Sequence, residues 1–337
     1  MASSAHTRIS TILTDTILGA ARQAPRHAAA SLAGLYGSLV AVVTPFRNGK
    51  VDVAALGNLC ERQITRGSSA LVMCGSTGEA PALSAPEQAL IVTTAVSIAA
   101  GRIPIIAECG ASATEAATIL AQAAARSGAA ALVCAPPPYS KPTQEGIAGH
   151  VRAVSHAADR PVILYDVPSR TGVAIHDETV ARLFECGLIS AIKDAAGDTS
   201  RPVRLRALCG GEFLQFTGND ADVPAHLAMG GHGCISVTAN LTPALCAHLH
   251  GAWHGGDMVE FGRLRDLLAP LHDALFTESN SIPIKAALSQ AGLCGGDLRL
   301  PLTRASAVTL ERLAALLPVL LAAEDAAAGL PRLSLVK

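Results

Sequence analysis

Lys193 carries the strongest chemical signal in this sequence, because it ends a mostly apolar run, Leu188-Ile-Ser-Ala-Ile-Lys-Asp194. Removing a charged amine from water is costly, so a buried lysine favours its neutral, nucleophilic form. A neutral amine can attack a ketone and form a Schiff base. The alternative is a lysine near a strand end whose ammonium reaches solvent along its aliphatic stem.

Hydroxyl groups follow other apolar runs. Gly75-Ser-Thr-Gly-Glu79 offers two hydroxyls and free backbone N–H groups, which suit a carboxylate, although the same pattern also forms ordinary turns. Tyr139 and Tyr165 are two of only three tyrosines in the chain. Each could supply a phenol to a site or could simply pack as an aromatic side chain at the rim of the fold. Together with Lys193, these residues predict a site that combines an amine, phenols and hydroxyls.

The elements that would position these residues are short apolar runs that alternate with helical patterns. The runs are 38–43, 70–74, 103–107, 129–135, 162–165, 188–192, 213–216 and 234–237, and helices are predicted over 113–127, 145–158 and 177–186. Eight β/α units predict an α/β fold, a TIM (β/α)8 barrel. A doubly wound open sheet is the alternative, but no G-x-G-x-x-G motif follows an early strand.

Three regions are predicted along the chain. Residues 1–33 are rich in Ala, Ser and Thr and resemble a transit peptide only loosely, so we expect a disordered or partly helical extension. Residues 34–256 form the predicted barrel domain. Helical patterns over 243–287 and 306–323 predict a C-terminal helical region, which is assigned to residues 257–337.

Composition excludes several classes of protein. The net charge of −1 and the absence of a Lys/Arg cluster argue against nucleic-acid binding, and no uninterrupted apolar stretch predicts a membrane span. The nine cysteines include no C-x-x-C pair and are predicted to be core residues of a cytoplasmic protein. His248, His250 and His254 are the one metal-like cluster, but residues two apart on a helix do not share a face, so no metal site is predicted.

In a (β/α)8 barrel, residues at the carboxyl ends of the strands face one mouth. The motifs that fall at these ends, or follow them, are Gly75-Ser-Thr-Gly-Glu79, Tyr139 with Pro142-Thr-Gln-Glu-Gly146, Tyr165-Asp-Val-Pro-Ser-Arg-Thr-Gly172, Ile192-Lys-Asp194 and Gly230-Gly-His-Gly-Cys-Ile-Ser-Val-Thr-Ala-Asn240. In this order they resemble the dihydrodipicolinate synthase family over about residues 36–325. The resemblance implies a class I aldolase that condenses pyruvate with L-aspartate 4-semialdehyde in lysine and diaminopimelate biosynthesis, without a cofactor beyond the lysine imine.

The resemblance also assigns roles. Lys193 would form the Schiff base, Tyr165 would move protons, and Ser76 and Tyr139 would complete a hydroxyl relay. Thr77 would bind the pyruvate carboxylate, and Arg170 would bind the carboxylate of the aldehyde substrate. The predicted substrate-binding residues are Thr77, Arg170, Gly75, Gly218 and Ile235. Because the family lends the tyrosine matching Tyr139 across a dimer interface, a homodimer or homotetramer is expected.

Some positions depart from the family pattern and leave alternatives open. Ser76 replaces a threonine usual in the synthases, and Gly-Ser-Thr-Gly-Glu is also typical of N-acetylneuraminate lyases. Asp166 replaces the more frequent asparagine, whereas Arg170 favours the synthases over the lyases. Lys285 is a rival Schiff-base lysine, which we interpret as structural. A sister aldolase acting on a 2-keto-3-deoxy sugar acid and a non-catalytic oxo-acid-binding member are the other hypotheses.

Inhibition by L-lysine is not expected. Feedback-sensitive relatives bind lysine with a glutamate, a histidine, an asparagine and a tyrosine, and the matching positions here are Ala116, Gln88, Ser112 and Pro138. A lysine ammonium buried there would have no anionic partner.

Overall fold

The computed structural model describes residue 32 and residues 34–329. The predicted N-terminal extension therefore lies outside the described residues, apart from Leu32. The boundary predicted at residue 256 stays a prediction.

Eight parallel strands close a barrel, as the sequence predicts. In chain order the strands are β1 (Gly37–Ala41), β4 (Ala70–Met73), β5 (Ile105–Glu108), β6 (Ala131–Cys134), β7 (Val162–Asp166), β8 (Ala191–Asp194), β9 (Leu214–Thr217) and β10 (Gly233–Ser236). Each pairs with the next along the chain, and β1 pairs with both β4 and β10. Each of the eight predicted runs overlaps one strand, although the run 188–192 shares only two residues with β8, and the barrel prediction is confirmed.

A small antiparallel hairpin, which was not predicted from the sequence, lies between β1 and β4. Strands β2 (Phe46–Arg47) and β3 (Lys50–Val51) flank Asn48 and Gly49, which both have positive φ, at 53° and 75°. Asn-Gly is a strong signal for such a turn.

The strands are buried on both sides, so their sequences are nearly continuous apolar runs. Side chains alternate between the barrel interior and the layer beneath the helices. In β8, Ala191 lies in the interior cluster and Ile192 in the outer one, so Lys193 points inward. Tyr165 of β7 is also in the interior cluster and pairs in register with Lys193. Strand alternation therefore brings the amine and the phenol together.

Helices surround the barrel. They are α1 (Val53–Thr65), α2 (Ala85–Ala99), α3 (Thr114–Arg126), α4 (Gln144–Ala158), α5 (Pro168–Thr171), α6 (Asp177–Glu185), α7 (Arg201–Cys209), α8 (Val223–Ala228), α9 (Pro243–Gly255), α10 (Met258–Leu275), α11 (Ile282–Gln290) and α12 (Ala307–Ala328). The predicted helices over 113–127, 145–158 and 177–186 match α3, α4 and α6 within one residue at each end.

The C-terminal helical region is confirmed, but its prediction as one helical stretch over 243–287 is wrong. Gly256, with φ at 74°, ends α9, and residues 276–281 separate α10 from α11. Helices α9, α10 and α11 all pack against α12. The loop at 276–281 turns back toward the barrel mouth, where its Asn280 lines a cavity.

Candidate active site

A cavity of about 620 Å³ opens at the carboxyl ends of the barrel strands. Several predicted and unpredicted polar residues share its wall, namely Ser76, Glu108, Tyr165, Arg170 and Asn280. Its volume falls in the range of small-molecule sites. The location agrees with the general position of active sites in (β/α)8 barrels.

Lys193 lies at this end of the barrel and is only 6% exposed. Its Nζ is 3.9 Å from the centroid of the Tyr165 ring. A Cβ atom added at Gly218 would lie 3.1 Å from Lys193 Cε, so the glycine leaves room for the lysine stem. Among the described residues, no carboxylate forms a salt bridge with Lys193. The amine therefore is available for covalent chemistry.

Lys285, the rival lysine, has very different surroundings. It is fully buried, forms an ion pair with Glu79 and donates a hydrogen bond to the Asp297 carbonyl at 2.7 Å. Its Nζ also lies 4.2 Å from the centroid of the Phe46 ring. Burial lowers the pKa of Lys285, although Glu79 opposes the change. These contacts support the structural interpretation, because the ion pair fixes the end of the 75–79 loop.

Asn280 connects two of the predicted substrate-binding residues. Its Nδ2 donates to Thr77 Oγ1 at 2.8 Å, and its carbonyl accepts from Arg170 Nη2 at 3.2 Å. Sequence reasoning missed Asn280 because it treated 243–287 as helical throughout. The Ser-Asn-Ser triplet at 279–281 was the available signal for a loop.

A buried ionic network supports the ends of β7 and β8. Arg201 is 3% exposed, and its Nη1 lies 2.7 Å from Asp166 and 3.1 Å from Asp194. Its Nε lies 2.8 Å from Asp177. Burial raises the pKa of Asp166, and Arg201 only partly offsets this. Although burial disfavours the guanidinium, Asp194 and Asp166 raise the pKa of Arg201 above its usual value.

This network explains the aspartate that departs from the family's usual asparagine. Asp166 immediately follows Tyr165, and Asp194 immediately follows Lys193, on paired strands. Arg201 therefore ties together the two backbone segments that carry the amine and the phenol. This contact could not be predicted from the sequence, because Arg201 lies on α7, a helix that was not predicted.

Glu108 is a second residue that sequence reasoning missed. It is the last residue of β5, one position beyond the predicted run, and it lines the cavity. Its carboxyl lies close to Gly75, where an added Cβ would be 2.8 Å from Glu108 Oε2. An acidic residue directly after an apolar strand was the signal that could have identified it.

Tyr139 is the predicted residue that the fold does not bring to the others. Its side chain is 95% exposed, it has a φ of 72°, and it does not line the cavity. Its predicted role therefore depends on the expected contact with a second copy of the chain and stays a prediction. Ile235, by contrast, is buried in the barrel interior.

Among the described residues, no group of three or more His, Cys, Asp or Glu side chains is arranged to hold a metal ion. All nine cysteines are free thiols, and six of them are buried. No helix in the described part of the chain is long and apolar enough to cross a membrane.

Comparison with known proteins gives a consistent result. Residues 34–319 match the model of the Dihydrodipicolinate synthetase family. The chain is 46% identical over 266 residues to the 4-hydroxy-tetrahydrodipicolinate synthase of Rhodospirillum centenum, which covers 79% of this chain and 91% of the relative. The structure of that enzyme from Methylacidiphilum fumariolicum SolV has a TM-score of 0.83 at 34% identity, covering 87% of this chain and 99% of the other. A chloride-inhibited dihydrodipicolinate synthase from Acinetobacter baumannii, complexed with pyruvate, has a TM-score of 0.81 at 38% identity, covering 88% and 100%.

Proposed function

Because this chain belongs to the dihydrodipicolinate synthetase family, we propose that it condenses pyruvate with L-aspartate 4-semialdehyde to form 4-hydroxy-tetrahydrodipicolinate. This reaction belongs to lysine and diaminopimelate biosynthesis. The observation that carries the proposal is the amine of Lys193, which forms no salt bridge among the described residues and lies 3.9 Å from the centre of the Tyr165 ring at the barrel mouth. Tyr165 and Arg170 both line the cavity at this mouth.

The first half of the reaction is imine formation. The lone pair of Lys193 Nζ attacks C2 of pyruvate, and the carbonyl oxygen leaves as water once it has received two protons. The resulting iminium draws electrons from C3, so a methyl proton is lost and an enamine forms. The 75–79 loop offers backbone N–H groups and the Thr77 hydroxyl to the pyruvate carboxylate. The lysine imine supplies the electron sink, so no further cofactor is required.

In the second half, the enamine carbon attacks the aldehyde carbon of the second substrate. Tyr165 would return a proton to the oxygen that becomes the alcohol. The substrate's amino group would then attack the imine carbon and close the ring, a proton would pass from that nitrogen to the lysine nitrogen, and Lys193 would leave as the free amine. Arg170 would hold the substrate's carboxylate with its guanidinium fork. Asn280 positions this arginine, because its carbonyl accepts a hydrogen bond from Arg170 Nη2.

Tyr139 would act in a neighbouring subunit. A tyrosine that is 95% exposed at the barrel mouth is suited to reach across an interface, so we expect a homodimer or homotetramer. Coexpression of Lys193→Ala with Tyr139→Phe tests this assignment. Random assortment should restore about a quarter of wild-type activity, because half of the dimers contain one intact site. No recovery of activity would show that Tyr139 does not act in the neighbouring subunit: it would either act within its own chain or have no catalytic role.

A substrate panel tests the proposal against the sister aldolases. Ser76, which is shared with N-acetylneuraminate lyases in the Gly-Ser-Thr-Gly-Glu motif, is the specific observation that favours the alternative. Pyruvate should therefore be assayed with L-aspartate 4-semialdehyde, and cleavage of N-acetylneuraminate and 2-keto-3-deoxygluconate measured in parallel. We expect turnover only with L-aspartate 4-semialdehyde. Faster turnover of a sugar acid would contradict the proposed substrate, and binding of pyruvate without turnover of any substrate in the panel would support a non-catalytic role.

We also propose that the protein acts in the cytoplasm.

A further inference from the structure

Glu108 presents a carboxyl group to the pyruvate end of the cavity, and none of the steps above uses it. Ile106 lies in the interior cluster and Ala107 in the outer one, so strand alternation points Glu108 inward. Its Oε2 is buried and has no hydrogen-bond partner among the described residues. Oε2 would lie 2.8 Å from a Cβ added at Gly75, next to the loop that offers N–H groups to a carboxylate.

The charged and titratable groups around Glu108 come from several elements. Those that interact with it electrostatically are Lys193 of β8, Arg170 of α5, Cys134 of β6, Cys74 after β4 and its neighbour Cys109. Burial raises the pKa of Glu108, Cys134 raises it further, and Lys193 and Arg170 oppose the increase. These opposing effects leave the pKa of Glu108 raised, so its protonated form is more favoured than it would be in water. An ionised one would repel the carboxylate of an incoming pyruvate.

We propose that Glu108 is a catalytic residue of the pyruvate half-reaction, the general acid that donates a proton to the hydroxyl leaving C2. This inference rests on the proposed function, because it assumes that Lys193 forms the imine. Conversion of a neutral amine and a pyruvate anion into an iminium and water consumes one proton. The Glu108 carboxyl supplies it: its O–H bond breaks, the C2–O bond breaks with its electrons on oxygen, and the nitrogen lone pair forms the C=N bond.

The products of this step are matched in charge. The step creates an iminium cation on Lys193 and a carboxylate on Glu108, in a setting where each stabilises the other. Before pyruvate arrives, a protonated Glu108 avoids an uncompensated carboxylate near the barrel interior. Glu108 thus holds a proton when the substrate anion binds and releases it when the positive charge forms.

The test measures imine formation with pyruvate alone, by rapid mixing and borohydride quenching over a range of pH. Glu108→Gln keeps the size of the side chain but cannot transfer a proton. We expect it to form the imine about 100-fold more slowly at saturating pyruvate, with the pyruvate concentration for half-saturation changed less than threefold. The rate of imine formation by the wild type should fall at alkaline pH as Glu108 ionises, and this fall should be absent in Glu108→Gln. Glu108→Asp keeps a carboxyl group and should therefore show the same alkaline fall in rate.

Glu212→Gln, at an exposed glutamate before β9, serves as the matched control and should behave as wild type. Infrared difference spectra of the wild-type protein give a second measurement that needs no variant, because pyruvate should remove one protonated-carboxyl band. Glu108→Gln rates within threefold of wild type with an unchanged pH profile, or no loss of that band, would overturn the inference. Absence of any imine in the wild type would instead refute the proposed function.

Discussion

Arg201→Leu should destabilise the protein strongly, through the carboxylates that it leaves behind. Arg201 lies at the first position of α7, where the helix dipole disfavours a cation, so any stabilisation by Arg201 must come from its ion-pair partners. Asp166, Asp177 and Asp194 lie within 3.1 Å of its nitrogens. Removing one member of a buried ion pair typically costs about 3–5 kcal/mol, because the remaining charge is buried without compensation. That is a large part of a domain's total stability, about 5–15 kcal/mol.

The matched control lies one turn further along the same helix. Arg204 also contacts Asp177, at 2.7 Å, but its side chain is 47% exposed. Arg204→Leu should therefore cost at most about 1 kcal/mol. Equilibrium unfolding in urea at pH 7 gives both values, provided that the slope with denaturant is unchanged. Equal losses for the two variants, or a loss below about 1 kcal/mol for Arg201→Leu, would refute the assignment of a buried network.

The pH dependence of the Arg201→Leu defect has a defined sign. Without Arg201, burial and Asp194 both raise the pKa of Asp166 and only the hydrogen bond from the Ile175 backbone N–H opposes them, so the folded-state pKa rises further above the unfolded value of about 3.9. A group with a raised folded-state pKa favours folding at low pH and loses that contribution as pH rises through the pKa. The defect should thus be largest near neutral pH and shrink as the pH falls. A constant defect would show that lost packing is responsible.

Three further predictions concern the substrate, acid stability and regulation. Arg170→Ala should lower the specificity constant for L-aspartate 4-semialdehyde by roughly tenfold to 150-fold, the worth of a charged hydrogen bond, and leave borohydride trapping of pyruvate intact; equal loss of trapping would assign the arginine to the fold. Glu87 bonds to Arg299, which with the backbone and hydroxyl of Ser84 lowers its pKa to about 2. Its contribution to stability should be complete above about pH 4.3 and disappear as the pH falls toward 2, so the urea midpoints of wild type and Glu87→Gln should converge in acid. L-Lysine should not inhibit turnover, and half-inhibition below about 1 mM would show that other residues rebuild the site.

The barrel could be predicted from the sequence because its strands are buried on both faces. Such strands appear as continuous apolar runs, and a lysine or tyrosine at the end of a run is conspicuous. The order of the runs then places Ser76, Tyr165, Arg170 and Lys193 at one mouth without any knowledge of their contacts. This part of the site follows from chain order and strand alternation alone.

Other features depend on contacts between distant segments. Asn280 lies in a loop that interrupts an apparently continuous helical pattern, and its hydrogen bonds to Thr77 and Arg170 cross 203 and 110 residues of sequence. Arg201 contacts the ends of β7 and β8 from α7, a helix that was not predicted from its sequence. Tyr139 satisfies the motif but is 95% exposed and does not line the cavity, because a motif does not specify which copy of the chain it serves.

The central claim is that Lys193 is the amine that bonds to pyruvate. Borohydride reduction in the presence of pyruvate, followed by digestion and mass spectrometry, tests it most directly. The two lysines differ in their surroundings: Lys285 is held by Glu79, whereas Lys193 forms no salt bridge among the described residues. We predict a stable adduct on the peptide that contains Lys193 and none on the peptide that contains Lys285. An adduct on Lys285, or no adduct on either peptide, would contradict the account.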